Sequence, residues 1–121
     1  MKVRCGQSAV HGLGVFAVED FDVGDIIEVC QIILVPPDEV PYLDRTCLSS
    51  FYYGWPTGEA AIALGLGSIY NHSYAPNADY QKDVSGSVVR IVAATKILGD
   101  EEVLVDYSRG GTNPLWFVPK P

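Results

Sequence analysis

Long hydrophobic runs are missing from this chain, and its cysteines show no pairing pattern. No apolar stretch approaches the ~20 residues that a membrane-spanning helix needs. No basic segment leading into an apolar one opens the chain, so no secretory signal is expected. Cys5, Cys30 and Cys47 are odd in number and widely spaced, which speaks against a disulfide framework and for a reducing compartment such as the cytoplasm. Each is expected as a small buried hydrophobe. The cysteines and the two histidines, His11 and His72, lack CxxC or HxxxH spacing, so no metal site is expected. Cationic residues are scarce as well. Eight Lys and Arg against 15 Asp and Glu give a net charge of −7. Such a surface repels nucleic acid and anionic membrane, and it favours a basic, lysine-containing peptide or protein as partner.

What is present suffices for one domain. At 121 residues, with 48% hydrophobic, the chain can bury a core and is expected to fold. No repeat, linker or low-complexity tract divides it, so a single domain over 1–121 is expected. Strand signals dominate. Val15–Val18, Asp25–Cys30, Ile32–Val35, Val88–Val92 and Val103–Val105 are short and rich in β-branched residues. Asp22–Asp25, Pro36–Asp38 and Leu98–Asp100 punctuate them, and Ser85-Gly86-Ser87 reads as a hairpin turn. Tyr42–Phe51 is the best place for a short helix or helical turn. Ala60–Leu66 fits a buried strand or a helix equally, because periodicity does not separate the two over so few residues. Many short strands with few helices predict a mainly β fold.

Two segments differ from ordinary core or loop sequence. Gly67-Ser68-Ile69-Tyr70-Asn71-His72-Ser73-Tyr74-Ala75-Pro76-Asn77 gathers two Asn, a His and Ser residues around one Pro, after an apolar, glycine-broken run. Asn and Ser there can bond nearby backbone, and Pro76 stiffens the turn. Downstream, Glu101-Glu102-Val103-Leu104-Val105-Asp106-Tyr107 alternates like a strand and ends by presenting a tyrosine. Near the start, Gly12 and Gly14 flank Leu13, which permits either a tight turn or close approach of backbone to a ligand. The three-glycine spacing of a dinucleotide-binding loop is missing. Taken together, Gly12-Leu13-Gly14-Val15-Phe16-Ala17, the Asn-His segment and the Asp-Tyr segment resemble the SET-domain family of S-adenosylmethionine-dependent protein-lysine methyltransferases. The resemblance is clearest over 10–107 and is greatest to small stand-alone viral and bacterial members, some of which pair as homodimers. For a viral or effector member the host nucleus is the alternative location.

The resemblance implies a β-clip fold of several small curved sheets. In it, the C-terminal segment passes through the loop at 71–77 in a pseudoknot-like crossing. S-adenosylmethionine is the implied cofactor, with S-adenosylhomocysteine as product. Gly12, Leu13 and Gly14 are implied to meet its methionine part, and Asn71 and His72 its adenine and amino-acid ends. Tyr107 is the implied catalytic residue and also touches the cofactor. Tyr52, Tyr53, Tyr70 and Tyr80 are candidates for the wall of a lysine channel, since aromatic faces suit a lysine stem and its cation. The position ahead of the last strand that often tunes methyl number carries Ile91 or Val92, leaving mono-, di- and trimethylation open. Three departures from the family pattern stand out. Gly67-Ser68 replaces the usual charged residue before Asn-His, and the usual Gly-Glu-Glu turn reads Gly99-Asp100-Glu101-Glu102. Cysteine-rich flanks are missing, so no structural zinc is expected; the apolar tail within 108–121, Leu115-Trp116-Phe117-Val118, is implied to close the site, with Trp116 on the cofactor. The implied activity is methyl transfer to lysine in a basic or histone-like tail. The alternative is a catalytically idle SET-like module that binds basic peptides.

Overall fold

A computed structural model describes residues 2–107. Strand β1 (Val3–Gln7) and strand β2 (Leu13–Ala17) form an antiparallel hairpin with Gly6 opposite Gly14. The next strand, β3 (Ile26–Val35), is one continuous run of ten residues rather than the two strands that the sequence suggests. It changes partner part-way. Residues 26–31 pair with β8 (Val88–Ala93), whereas Ile32–Val35 pair with β5 (Ala60–Ala63). A bulge between Ile26 and Glu28 adds local twist at the start of its pairing with β8. With β4 (Tyr53–Gly54) and β7 (Ala78–Asp83) at the edges, the sheet runs β4-β5-β3-β8-β7.

Pairing with β3 decides that Ala60–Ala63 is a strand. The Tyr42–Phe51 region yields only helical turns, α1 (Val40–Leu43) and a 3-10 turn at Cys47–Ser50. Thr46 separates them: its Oγ1 accepts from Leu48 N and donates to the Leu43 carbonyl. The β7–β8 hairpin turns at Ser85-Gly86-Ser87 as expected, with Asp83 Oδ1 accepting the Gly86 N–H at 2.9 Å. Side chains alternate along β7, where Ala78 and Tyr80 face inward and Asp79 and Gln81 outward. The core gathers Val15, Phe21, Ile27, Cys30, Tyr70, Val89, Ile91, Ile97, Val103 and Val105. Of the three thiols, all free, only Cys30 is buried; Cys5 and Cys47 are exposed, contrary to expectation. Cys5 is exposed although it lies two residues from buried Val3 and pairs with buried Val15 on β2.

One small sheet determines where the site lies. Strand β6 (Asn71–His72) pairs in parallel with β9 (Leu104–Val105), bringing together segments about thirty residues apart in the chain. On its other side the same segment is held to β2, with Ala17 N donating to Glu101 O and Val103 N to Val15 O. The loop after β6 then straps it down. Ser73 N donates to Val105 O, and Asn77 bonds it through its side chain: Oδ1 accepts Leu104 N and Nδ2 donates to Glu102 O, both at 2.8 Å. Residues 101–105 thus run between β2 and the 71–77 loop, which is the expected crossing. The departure at Gly99-Asp100 is absorbed in the turn before it. Asp100, not Gly99, takes the left-handed conformation (φ 72°), which Asp tolerates better than most residues.

Candidate functional site

Every side chain around the crossing has a backbone reason to be there. Asn71, buried on β6, directs Nδ2 at the carbonyls of His11 and Leu13, both at 3.0 Å, and at Glu102 Oε2 at 2.9 Å. The Glu102 carboxylate also accepts the Ser8 hydroxyl at 2.7 and 2.8 Å. Ser8 in turn caps the glycine turn, accepting Val10 N and His11 N and donating its own N–H to Gly12 O. Gly12 needs its positive φ of 49° in this turn, but a side chain there would meet nothing. Gly14 is different: a Cβ would strike Glu102 Oε2 and crowd Asn71 Nδ2 and Ser8 Cβ. The two glycines therefore serve separate ends, one a turn and the other the close packing of β2 on a polar knot. Leu13 between them remains exposed.

His72 is buried with only 8% of its surface exposed. Its Nδ1 accepts the Tyr107 backbone N–H at 2.9 Å, so the proton of the neutral ring resides on Nε2. Nε2 is buried and has no hydrogen-bond partner among the described residues. Burial holds the imidazole below its ordinary pKa of 6.5, against the opposing pull of Asp106, whose Oδ1 stands 3.8 Å from Nδ1. Tyr74 packs edge-on against the ring at 4.3 Å between centroids, and Tyr107 lies tilted at 5.0 Å.

Three tyrosines converge behind this ring. Tyr107, half-buried at the end of β9, donates its hydroxyl to the Tyr70 carbonyl. Its own carbonyl accepts the Tyr80 hydroxyl at 3.0 Å. Tyr53 packs on Tyr80 at 5.0 Å between centroids and donates to the Gly67 carbonyl at 2.9 Å. Burial, reinforced by nearby Glu102, pushes the Tyr107 hydroxyl up to about 12, so it keeps its proton at neutral pH. Each of these hydroxyl protons is given to a backbone carbonyl.

Comparison with known proteins gives this arrangement a context. The family profile described as the SET domain matches residues 12–108. The chain belongs to the SET-domain family. It is 31% identical over 107 residues to a histone-lysine N-methyltransferase of Schizosaccharomyces pombe described as specific for H3 lysine 37, covering 88% of this chain and 70% of that protein. A crystal structure of a candidate histone methyltransferase from Plasmodium falciparum superposes with a TM-score of 0.73 at 30% identity, covering 88% of this chain and 96% of that one. A Chaetomium thermophilum Polycomb Repressive Complex 2 structure with H3K27me3 and H3K27M shares the fold at TM-score 0.74 and 21% identity; the match covers 87% of this chain and 14% of that one. The family profile and the relative at 31% identity support membership among the lysine methyltransferases of the SET type.

Within that fold, Gly12, Leu13, Gly14, Asn71, His72 and Tyr107 form one continuous neighbourhood, and Tyr53 and Tyr80 adjoin it through Tyr107 and the Gly67 turn. Tyr70 differs from the expectation of a channel side chain. Its ring is 1% exposed in the core and its hydroxyl donates to Glu28 Oε1 at 2.8 Å; only its backbone carbonyl reaches Tyr107. Tyr52 donates to Asp44 at 2.8 Å, beside the helical turns rather than in the tyrosine group. Burial pushes that hydroxyl up to about 12, with Asp44 adding to the effect. Trp116 lies outside the described residues. Ser8, Asn77 and Glu102 were not singled out from the sequence. The Pro76-Asn77 turn and the Glu-Glu pair carried a signal for two of them, whereas Ser8 carried none. Among the described residues no group of three or more His, Cys, Asp and Glu could hold a metal, and no helix is long and apolar enough to cross a membrane.

Proposed function

We propose that the chain is an S-adenosylmethionine-dependent protein-lysine N-methyltransferase that acts on an exposed basic segment. The observation that carries this reading is the crossing itself, which sets a buried imidazole N–H without a partner among the described residues beside a proton-retaining Tyr107. The donor set fits the cofactor. His72 Nε2 is a buried donor in want of an acceptor, and the Gly12–Leu13 turn leaves open, exposed backbone next to Asn71. These residues would hold it. When bound, S-adenosylmethionine supplies an electrophilic methyl group on a sulfonium.

The chain's own residues do the rest. A lysine near ~10.4 in water must lose its proton before its lone pair can attack. Placing it among Tyr53, Tyr80 and Tyr107, away from bulk water, disfavours the ammonium. Tyr107 retains its own proton and so does not serve as the base; water takes the lysine proton. Its oxygen, with the hydroxyl hydrogen on the Tyr70 carbonyl, accepts an amine N–H and orients the nitrogen. A net charge of −7 attracts basic segments. Such a segment threads one lysine inward more readily than a rigid surface does, so histone-like tails rank first as substrates. The apolar run around Trp116 completes the site in this proposal. The test is methyl transfer to a panel of basic peptides and proteins, with product mass and position read out, alongside thermal stabilisation by S-adenosylmethionine or S-adenosylhomocysteine. Stabilisation without transfer to any substrate favours the idle binding module; neither overturns both.

A further inference from the structure

The two nitrogens of His72 face different surroundings, and only one is available to a ligand. Nδ1 is already engaged by the Tyr107 backbone N–H at 2.9 Å. We propose that His72 is a positioning residue for Tyr107: neutral, it pins the tyrosine's backbone through Nδ1; protonated, it turns that nitrogen to the Asp106 carboxylate and lets the tyrosine go. This rests on the methyltransferase reading only in naming Tyr107 as the residue that orients the amine.

Geometry gives the latch its two states. A protonated Nδ1 is a donor, and two N–H groups facing each other at that distance repel. Asp106 Oδ1, 3.8 Å from Nδ1 and on the residue preceding Tyr107, is the carboxylate placed to receive the new N–H. Among the described residues, the other groups packed against the ring are the phenols of Tyr74, from its own loop, and Tyr107, from the end of β9. Glu102 is engaged one residue away, on Asn71 and Ser8. Releasing the Tyr107 backbone disturbs more than one bond. Its carbonyl holds the Tyr80 hydroxyl, and its ring hydroxyl is on the Tyr70 carbonyl. A shift at one peptide is thus transmitted to the whole tyrosine group. The direction in pH follows from burial, which keeps the ring below its ordinary 6.5. Its neutral-form stabilisation is complete above about 6.5 and is lost as pH falls from there through the lower, folded-state value.

Side-chain replacements separate the two nitrogens. An Asn at 72 places a non-titrating carbonyl oxygen where Nδ1 sits, while a Gln reaches the place of Nε2. His72→Ala should lower kcat roughly tenfold or more. His72→Asn should recover part of that loss and should lack the His72 step in the acid limb of the wild-type kcat profile, keeping only the limb set by the substrate lysine, and His72→Gln should not recover it. Recovery by Gln but not Asn assigns the role to Nε2 alone and overturns the latch. Ligand-free protein gives a readout that needs no activity. Long-range ¹H–¹⁵N spectra of His72 should show the proton on Nε2 at neutral pH, and the Tyr107 amide should shift with the same midpoint as the ring. A Tyr107 amide that stays fixed while the ring titrates refutes the proposal. If the wild type transfers no methyl group but the two titrations coincide, the enzyme reading fails and the latch stands.

Discussion

Replacing Gly14 by alanine tests whether this glycine is present for the protein or for a ligand. The added Cβ would strike Glu102 Oε2 and come within 3.0 Å of both Asn71 Nδ2 and Ser8 Cβ. The backbone cannot retreat, because β2 is paired with β1 on one side and Val15 O accepts Val103 N on the other. Glu102 must therefore give way. It holds Ser8 Oγ and Asn71 Nδ2, and hydrogen bonds to a charged group contribute about 1.5–3 kcal/mol each. Glu102 is only half-buried, so water compensates part of that loss. With about 1–3 kcal/mol for overpacking as the reference, a total of about 2–4 kcal/mol is expected. For a domain of this size that lowers Tm by roughly 10 °C.

Gly12→Ala is the control. No atom would lie within 4 Å of its Cβ, so only the left-handed strain of about 1–2 kcal/mol should register. Urea and thermal denaturation of the ligand-free protein measure both. The decisive arm repeats Gly14→Ala in a Glu102→Ala background, where the struck atom is gone. There the glycine substitution should cost at least ~1 kcal/mol less than in the wild type. Additivity within about 0.5 kcal/mol would refute the clash and return Gly14 to the cofactor alone.

Tyr107→Phe should lower kcat about 10²-fold while leaving the affinity for S-adenosylmethionine nearly unchanged, because the lost hydroxyl acts where the amine reacts; calorimetry with steady-state kinetics checks the split. Deleting the residues after Gly111 should leave a folded domain that retains S-adenosylmethionine poorly and turns over little, as read by thermal shift and activity; full activity would reduce the apolar tail to packing. Transfer to a basic peptide should slow as salt shortens the Debye length from ~10 Å at 0.1 M toward ~3 Å at 1 M. A peptide with uncharged flanks should be slower at low salt, and equal rates would show that the acidity serves solubility alone.

Strand content was readable in the sequence because β-branched runs separated by Gly, Asp and Pro mark it locally. The Ser85-Gly86-Ser87 turn was equally plain. Other strands were missed for a physical reason: their pairing depends on a distant partner. Val3–Gln7 reads Val-Arg-Cys-Gly-Gln, with little strand preference of its own, and becomes a strand by lying against Leu13–Ala17. Asn71–His72 is poorer still as strand sequence, and it is paired only because residues 104–105 pass beside it. Ala60–Ala63 was ambiguous until its pairing with β3 was known. Nor does the run from Ile26 to Val35 announce that it will exchange β8 for β5 as its neighbour.

The site shows the same division more sharply. Asn71, His72 and Tyr107 could be picked out because the Asn-His and Asp-Tyr segments resemble those of the SET family, but their bonds could not. An Asn read as a ligand contact proves also to be the clasp of the glycine turn, since its amide reaches His11 O, Leu13 O and Glu102 together. Tyr70 was expected on the channel wall, yet its ring lies in the core. Neighbouring residues on an extended segment point opposite ways, so Asn71 facing the glycine turn sends Tyr70 into the core toward Glu28. The same alternation separates Tyr52 from Tyr53, sending one hydroxyl to Asp44 and the other to the Gly67 carbonyl. What no local rule supplies is Ser8, whose function exists only because the crossing carries Glu102 to it across 94 positions of sequence. Residues of that kind bind a knot together, and only the path of the chain reveals them.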